Sequence, residues 1–389
     1  MSCYIGSNEN RIYAAEEAVY CEAGTAAPEG RVPAIRLAIT QTAERPDRRD
    51  KTGGRTYLGL PAGLRKRTTF DLTTYMTAWE SGDSPCYGSL FHAALGGVPL
   101  AFGGASVSLV PEPNRIVTSG PHGLVAGQAV RFGGEIRFVT AVVDPTTIVL
   151  NAPFGSEPAA GASLGRTVTY LPGSNLPSLT LFDYWSPSDA VQRILAGAGV
   201  DRLRIDVNGD FHQFGFRGIA GELVDSVSFT AGAGGLAEFP AEPASGGMQF
   251  PLIPGSLGQA WLGVTPARFH TILSAEVVLD NNLDQRSREF GMGKPKCLVA
   301  GRREVYLEME LVSNVALETT ELYQAAAQRS PISVMFQLGQ QEDQLCGVYL
   351  PAVVPEVPSF EDDDTRLQWR FRECRAQGIG NDEISVAFG

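Results

Sequence analysis

The stretch Gly301-Arg-Arg-Glu-Val-Tyr-Leu-Glu-Met-Glu-Leu311 decides how the chain is read. Val305, Leu307, Met309 and Leu311 alternate with Glu304, Tyr306, Glu308 and Glu310. That is the period of a strand with one face on a core and the other in water or against polar neighbours. Upstream, Ile272-Leu-Ser-Ala-Glu-Val-Val-Leu-Asp280 alternates in the same way, and a polar loop through Arg288 follows it. The layout has an earlier counterpart: Val32-Pro-Ala-Ile-Arg-Leu-Ala-Ile-Thr-Gln41, polar residues 41 to 54, then Gly63-Leu-Arg-Lys-Arg-Thr-Thr-Phe-Asp-Leu72. Ile39 to Gly63 is 24 positions, and Leu279 to Gly301 is 22. A shared pattern at nearly shared spacing points to an internal duplication.

Outward from these two units, the order strand, loop, strand, helix, strands holds in both halves. The predicted helices are Ser89-Leu-Phe-His-Ala-Ala-Leu95, stopped by Gly96-Gly97, and the segment around Glu321 to Arg329, stopped before Pro331. Ser186-Pro187-Ser-Asp189 reads as a helix cap ahead of Ala190 to Leu195. Asn208-Gly209 between two alternating runs is a hairpin signal. Short strands separated by Ser119-Gly120-Pro121-His122-Gly123, Gly133-Gly134 and Asp144-Pro145 fill residues 104 to 166 and read as an inserted module. Tyr13 to Tyr20 suggests a short helix in an N-terminal arm that lies on a neighbour or frays. The expected architecture is mainly β: two tandem β-sandwich or barrel units, each with a short flanking helix, plus an inserted small β domain. The boundaries are 1–30 for the arm, 31–103 with 167–240 for the first unit, 104–166 for the insert, 241–260 for a linker and 261–389 for the second unit.

Composition narrows the function classes. At 389 residues, with 43% hydrophobic and 19% charged residues, the chain can bury a sizeable core. A formal charge of -12 argues against a duplex-binding surface, which needs a basic stripe, but suits a surface that DNA passes without sticking. Six scattered Cys form no CxxC and no zinc-like spacing, so free thiols are expected. Met1 to Gly6 shows no basic segment followed by an apolar one, and no apolar run approaches the ~20 residues of a membrane span, so neither a secretory signal nor a membrane anchor is expected.

No motif supports catalysis. Gly161-Ala-Ser163-Leu-Gly165 matches GxSxG, but a loop precedes the Ser and a strand-like run follows it, the wrong context for a nucleophile elbow. Glu361-Asp-Asp-Asp364 lacks the alternate ligand spacing of a calcium loop. His92, His122, His212 and His270 stand apart in sequence and read as structural. No cofactor, metal or catalytic residue is expected. Two surfaces stand out instead. The charged excursions carry Arg45, Asp47, Arg48, Arg49, Asp50 and Lys51 in one unit and Asp280, Asp284, Arg286, Arg288 and Glu289 in the other. They read either as two solvated loops or as mixed-sign loops that set partner and register between subunits. The polar strand faces present Asp71, Glu304, Glu308 and Glu310, carboxylates that need water or basic partners.

Several stretches resemble the tail tube (major tail) proteins of long-tailed bacteriophages. They are Gly63 to Met76 with Ser89 to Gly96; Leu279-Asp-Asn-Asn-Leu283; Phe290-Gly291 with Gly301-Arg-Arg-Glu-Val305; and Phe214-Gly-Phe-Arg-Gly218. The likeness covers roughly residues 31 to 100 and 168 to 389. It implies tail-tube-like β-sandwiches that stack as rings whose inner sheets close into a barrel. A duplicated chain would need three copies for a pseudo-sixfold ring, about -36 in charge. The loops would reach neighbouring subunits or rings, and Asp71, Glu304, Glu308 and Glu310 would line a negative lumen for DNA in transit. The implied partners are the chain itself, a tape measure protein and other tail components. The implied location is the virion tail, after assembly in the host bacterial cytoplasm, with the insert outside the tube. A terminator or a distal tail or baseplate hub protein would share the fold. A carbohydrate-binding β protein is a rival reading, opposed by an insert with only Phe132, Phe138 and Phe154 and no Trp.

Overall fold

A computed structural model of the protein describes residues 4–44, 49–56, 59, 65–78, 84–186, 190–244, 251–285, 289–291, 294–314, 317–362 and 365–389. The fold is mainly β. The first third holds β1 (Asn10–Glu16), β2 (Arg31–Val32), β3 (Ala34–Ala43), β4 (Lys66–Tyr75), α1 (Gly88–Leu95) and β5 (Leu100–Phe102). Next come β6 (Ala105–Glu112), β7 (Arg115–Thr118), β8 (Ala129–Phe132), β9 (Glu135–Asp144), β10 (Thr147–Leu150) and β11 (Ser163–Leu164). The chain then returns through β12 (Thr167–Tyr170), β13 (Leu179–Trp185), β14 (Arg193–Val207), β15 (Gln213–Ala220) and β16 (Glu222–Asp225). The last part holds β17 (Gly258–Gly263), β18 (Ala267–Phe269), β19 (Ile272–Asp280), β20 (Asp284–Gln285), β21 (Leu298–Val299) and β22 (Glu304–Val312). It ends with α2 (Leu317–Gln328), β23 (Ile332–Leu338), β24 (Cys346–Val354), β25 (Ser359–Glu361), β26 (Gln368–Ala376) and β27 (Ser385–Phe388).

One antiparallel row organises the molecule: β3, β4, β15, β14, β19, β22, β26 and β25, each hydrogen-bonded to the next. Its strands alternate, so Phe70, Leu72, Phe214, Phe216, Leu203, Ile205, Val277, Leu279, Leu307 and Met309 enter a single core while their neighbours face out. Further strands back that core. β2 pairs with β1 and β1 with β13, while β18 pairs with β17 and β17 with β23. β13 then pairs with the first half of β14, as β23 does with β24.

The helices plug the core. Phe91 of α1 sits among Phe214, Phe216 and Phe388, with ring centroids 5.0, 5.3 and 5.0 Å away, and Tyr87 and Tyr170 complete the cluster. Gly96 stops α1 in the left-handed region at φ 86°, where a Cβ would be strained. α2 contributes Leu322, Ala325 and Ala326.

Residues 105–164 form their own six-stranded sheet with a core of Val107, Ile116, Val130, Val139, Ile148 and Leu150. This sheet is bolted to β17 and β23. Arg137 is fully buried, donating to the carbonyls of Ile136 (2.7 Å) and Pro153 (2.9 Å) and lying 5.0 Å over the Trp261 ring. Burial lowers its pKa to about 10, although Glu135 counters the shift.

Three expectations need correction. Tyr13 to Tyr20 is not a helix: residues 10–16 are β1, locked into the chain's own sheet against β13 by a seven-residue register, because a strand flanked by partners gains more from pairing than a short isolated helix gains from its own bonds. The predicted helix at Ala190 to Leu195 is a bend that leads into the start of β14 at Arg193. Its run from Ile194 to Val200 is buried on both faces and so lacks the alternation that marks a strand; residues 187–189 lie outside the described residues. Finally, β17 begins inside the stretch read as a linker, and Glu242 within that stretch is bound to Arg11 and Tyr13 of β1.

Candidate assembly surface

The outward face of the eight-strand row carries the functional candidates. Alternation alone places them there, and the registers bring charges of opposite sign side by side. Arg217 on β15 stands opposite Asp71 on β4 and binds it at 3.0 Å. On β14, Arg202 grips Asp280 of β19 through two bonds, 2.6 and 2.8 Å. Arg204 reaches Asp206 at 2.8 Å and Glu276 at 3.0 Å. On β26, Arg375 binds Glu304, and Arg370 joins Glu310 (3.3 Å) to Glu361 of β25 (2.8 Å). Two depressions of 360 and 320 Å³ lie along this lattice, meeting at Arg204 and Glu276.

The electrostatics follow from these contacts. The Tyr306 hydroxyl and Arg375 hold the Glu304 carboxyl below its usual range, and the Glu304 carboxylate raises Tyr306 in return. Asp280 raises Arg202 further above its already high value. Glu276 moves the other way: burial raises it, and Arg204 only partly offsets that cost. Glu308 is exposed and stands opposite Glu276 in the ladder. The carboxylates expected to form an acidic wall therefore sit in a mixed lattice. The five arginines on the neighbouring strands are not among the residues singled out from the sequence, although Arg202-Leu-Arg204-Ile-Asp206 shows two of them at strand spacing.

The loop candidates divide. Arg45, Asp47, Arg48, Arg286 and Arg288 lie outside the described residues. Arg49, Asp50 and Lys51 are exposed. Asp280 is a strand residue rather than a loop residue, because the ladder with β22 runs through it to Glu304. Asp284 belongs to the small β20–β21 pair, and the backbone of the preceding Leu283 donates to Asp201 at 2.7 Å. Arg65, just ahead of β4, donates to the carbonyl of Glu289 in the second excursion at 3.3 Å.

The row ends in two edges. Among the described residues, β3 pairs only with β4 and β25 only with β26. Phe360 on β25 is 55% exposed, and Ile35 on β3 is 44% exposed. An unpaired strand edge with apolar side chains is a template for another strand.

The remaining motifs have structural roles. Ser163 lies on β11 beside Ser106. His92 binds Glu16 at 2.8 Å, His122 accepts from the Leu124 amide at 2.9 Å, and His212 contacts the Leu257 carbonyl at 2.8 Å. Among the described residues, no cluster of His, Cys, Asp and Glu is arranged to hold a metal, and no helix is long and apolar enough to cross a membrane. Compared with protein-family models and with curated proteins, the chain matches none.

Proposed function

We propose that the chain is a structural subunit that polymerises into stacked rings forming a hollow tube, the tail tube of a long-tailed bacteriophage, through which DNA passes. The observation that carries this reading is the eight-strand row with one face on the core, the other a charged lattice and, among the described residues, an open edge at each end. A row with two different edges joins head to tail, and such a contact closes into a ring when the rotation per copy divides a full turn.

The pairings of the first half recur in the second, and we read them as two tandem units. On that reading three copies make a pseudo-sixfold ring, with residues 105–164 outside. The lattice suits a wall along which DNA slides. Arg202, Arg204, Arg217, Arg370 and Arg375 are each committed to a carboxylate, so they offer phosphates little counterion-releasing contact. The partners on this reading are further copies of the chain, a tape measure protein and neighbouring tail components in the virion; the protein is not an enzyme. Electron microscopy of the purified protein over a range of concentration and salt tests it. Rings or hollow tubes about three chains around are expected; discrete monomers under every condition would end the proposal.

A further inference from the structure

The registers of the two halves correspond on the stretch next to each outer edge, although the β22–β26 ladder has a shift between Leu307 and Met309 that the β4–β15 ladder lacks. β3 skips one residue against β4 between Ala34 and Arg36, and β19 skips one against β22 between Ile272 and Ser274. Beyond the bulge the pairs run in parallel: Leu37 with Leu72 as Ala275 with Met309, and Ile39 with Phe70 as Val277 with Leu307. The next ladder repeats the correspondence, Leu72 with Phe216 as Met309 with Phe371. So does the one after it. Gly215 pairs with Arg204 as Arg370 does with Ser359, Phe214 with Ile205 as Trp369 with Phe360, and Gln213 with Asp206 as Gln368 with Glu361. A bulge inserts an extra residue and resets the register, so a shared bulge followed by shared pairs fixes the equivalence more tightly than alternation does. β25 thus stands where β14 stands, and β3 where β19 stands.

Within the chain, β14 and β19 are joined: Arg204 faces Val278, Ile205 faces Val277 and Asp206 faces Glu276. The equivalent edges of β25 and β3 carry no partner strand among the described residues. We propose that β25 of one copy pairs antiparallel with β3 of the next in the register of this internal joint. Ser359 then lies opposite Thr40, Phe360 opposite Ile39, and Glu361 opposite Ala38. This deepens the ring reading above and rests on it.

The side chains fit. At the internal joint Ile205 and Val277 are 0% and 1% exposed, whereas Phe360 is 55% exposed and Ile39 is only half-buried. Pairing covers both, and Phe360 is already held in place by stacking on Trp369 at 5.4 Å. On the outward face, Glu361 comes diagonal to Arg36, which is exposed and in no ion pair among the described residues. The joint between copies is also the thinner one. β25 spans three residues after Pro358, while β14 and β19 share six pairs and the Arg202–Asp280 bridge. It therefore forms under assembly conditions without gluing every encounter, as short edges do.

Cysteine pairing in the full chain, with Cys3 and the exposed free thiol Cys297 replaced by Ser, tests the register. Directly opposite residues bring Cβ atoms to about 5 Å, within reach of a disulfide, whereas a two-residue slip does not. Thr40 and Ser359 are both exposed, so neither substitution disturbs the core. Under mild oxidation, the double variant Thr40→Cys with Ser359→Cys is expected to give a covalent ladder ending at three chains. A mixture of the two single variants is expected to give dimers only, and either single variant alone no dimer, since the joint is head to tail. Ser359→Cys combined with Thr42→Cys or Ala38→Cys reads neighbouring registers and is expected to link several-fold less. Rings by microscopy with stronger linking at those neighbouring positions would overturn the register while leaving the ring. Linking by one single variant alone would overturn the head-to-tail joint. Neither rings nor links would overturn both.

Discussion

β3 with β4 and β19 with β22 are the same device in two settings. Each is a long antiparallel pair with a bulge one residue into its first strand, and each lays alternate residues on the common core. They differ in one neighbour. β19 is flanked by β14, which buries Val277 and Leu279 to 1% exposure. β3 has no second flank among the described residues, and its counterparts Ile39 and Gln41 are half-buried and exposed. The same strand is thus interior in the middle of the row and an edge at its end. A single missing neighbour separates a residue that stabilises the monomer from one available for assembly.

The largest expected effect breaks that symmetry. Val277→Asp places an unpaired carboxylate in the centre of the row and is expected to cost roughly 4 kcal/mol or more, seen as a collapse of the denaturant midpoint. Ile39→Asp, at the equivalent but half-buried position, is expected to lower the midpoint clearly less than Val277→Asp and to abolish rings. Equal loss of stability in both variants would mean that β3 is covered in the monomer. The helices under the two pairs differ less. Phe91→Ala opens the aromatic cluster beneath β4 and β15 and is expected to cost about 3–5 kcal/mol, and Leu322→Ala on α2 about 2–5 kcal/mol, both by chemical denaturation. A Phe91→Ala change below 1 kcal/mol would remove α1 from the core argument.

The charges separate the joints more finely. Arg202→Ala loses the Asp280 bridge, a half-exposed pair, so a loss of about 0.2–1 kcal/mol that shrinks with added salt is expected, against none for Arg36→Ala in the monomer. A salt-independent loss would point to packing of the arginine stem instead. The smallest expected effects are in pH, with opposite signs on neighbouring strands. Glu304 is held below its ordinary 4.5 by Tyr306 and Arg375, so its contribution is present above about pH 4.5 and is lost as pH falls through the lower folded value. Glu276 is raised above 4.5 by burial, so it penalises the folded state increasingly as pH rises from 4.5 through its folded value. Glu304→Gln should flatten the acid limb of the stability curve, and Glu276→Gln should steepen it. Identical curves for the two variants would contradict these assignments.

Where the sequence was legible, the signal was local. Asn208-Gly209 gave a hairpin, Gly96 closed α1, and the alternation of 304 to 311 became β22 with its apolar side in the core. It failed where the deciding partner is distant. β1 looks helical until β13 lies beside it, and the start of β14 looks helical because it is buried on both faces. The charged face was half legible for the same reason. Glu304, Glu308 and Glu310 announce a polar face, but only the ladders set Arg370 and Arg375 beside them.

The amino-acid order by itself settled the β class, the outward and inward side of each long strand and the likeness of the two strand pairs, because alternation and turn chemistry act over a few residues. Tertiary structure alone decided which strand lies beside which, and so which of two similar strands is an edge. Hydrogen-bonding partners along a sheet come from segments scores of residues apart, and nothing within a strand records whether its second side will be filled.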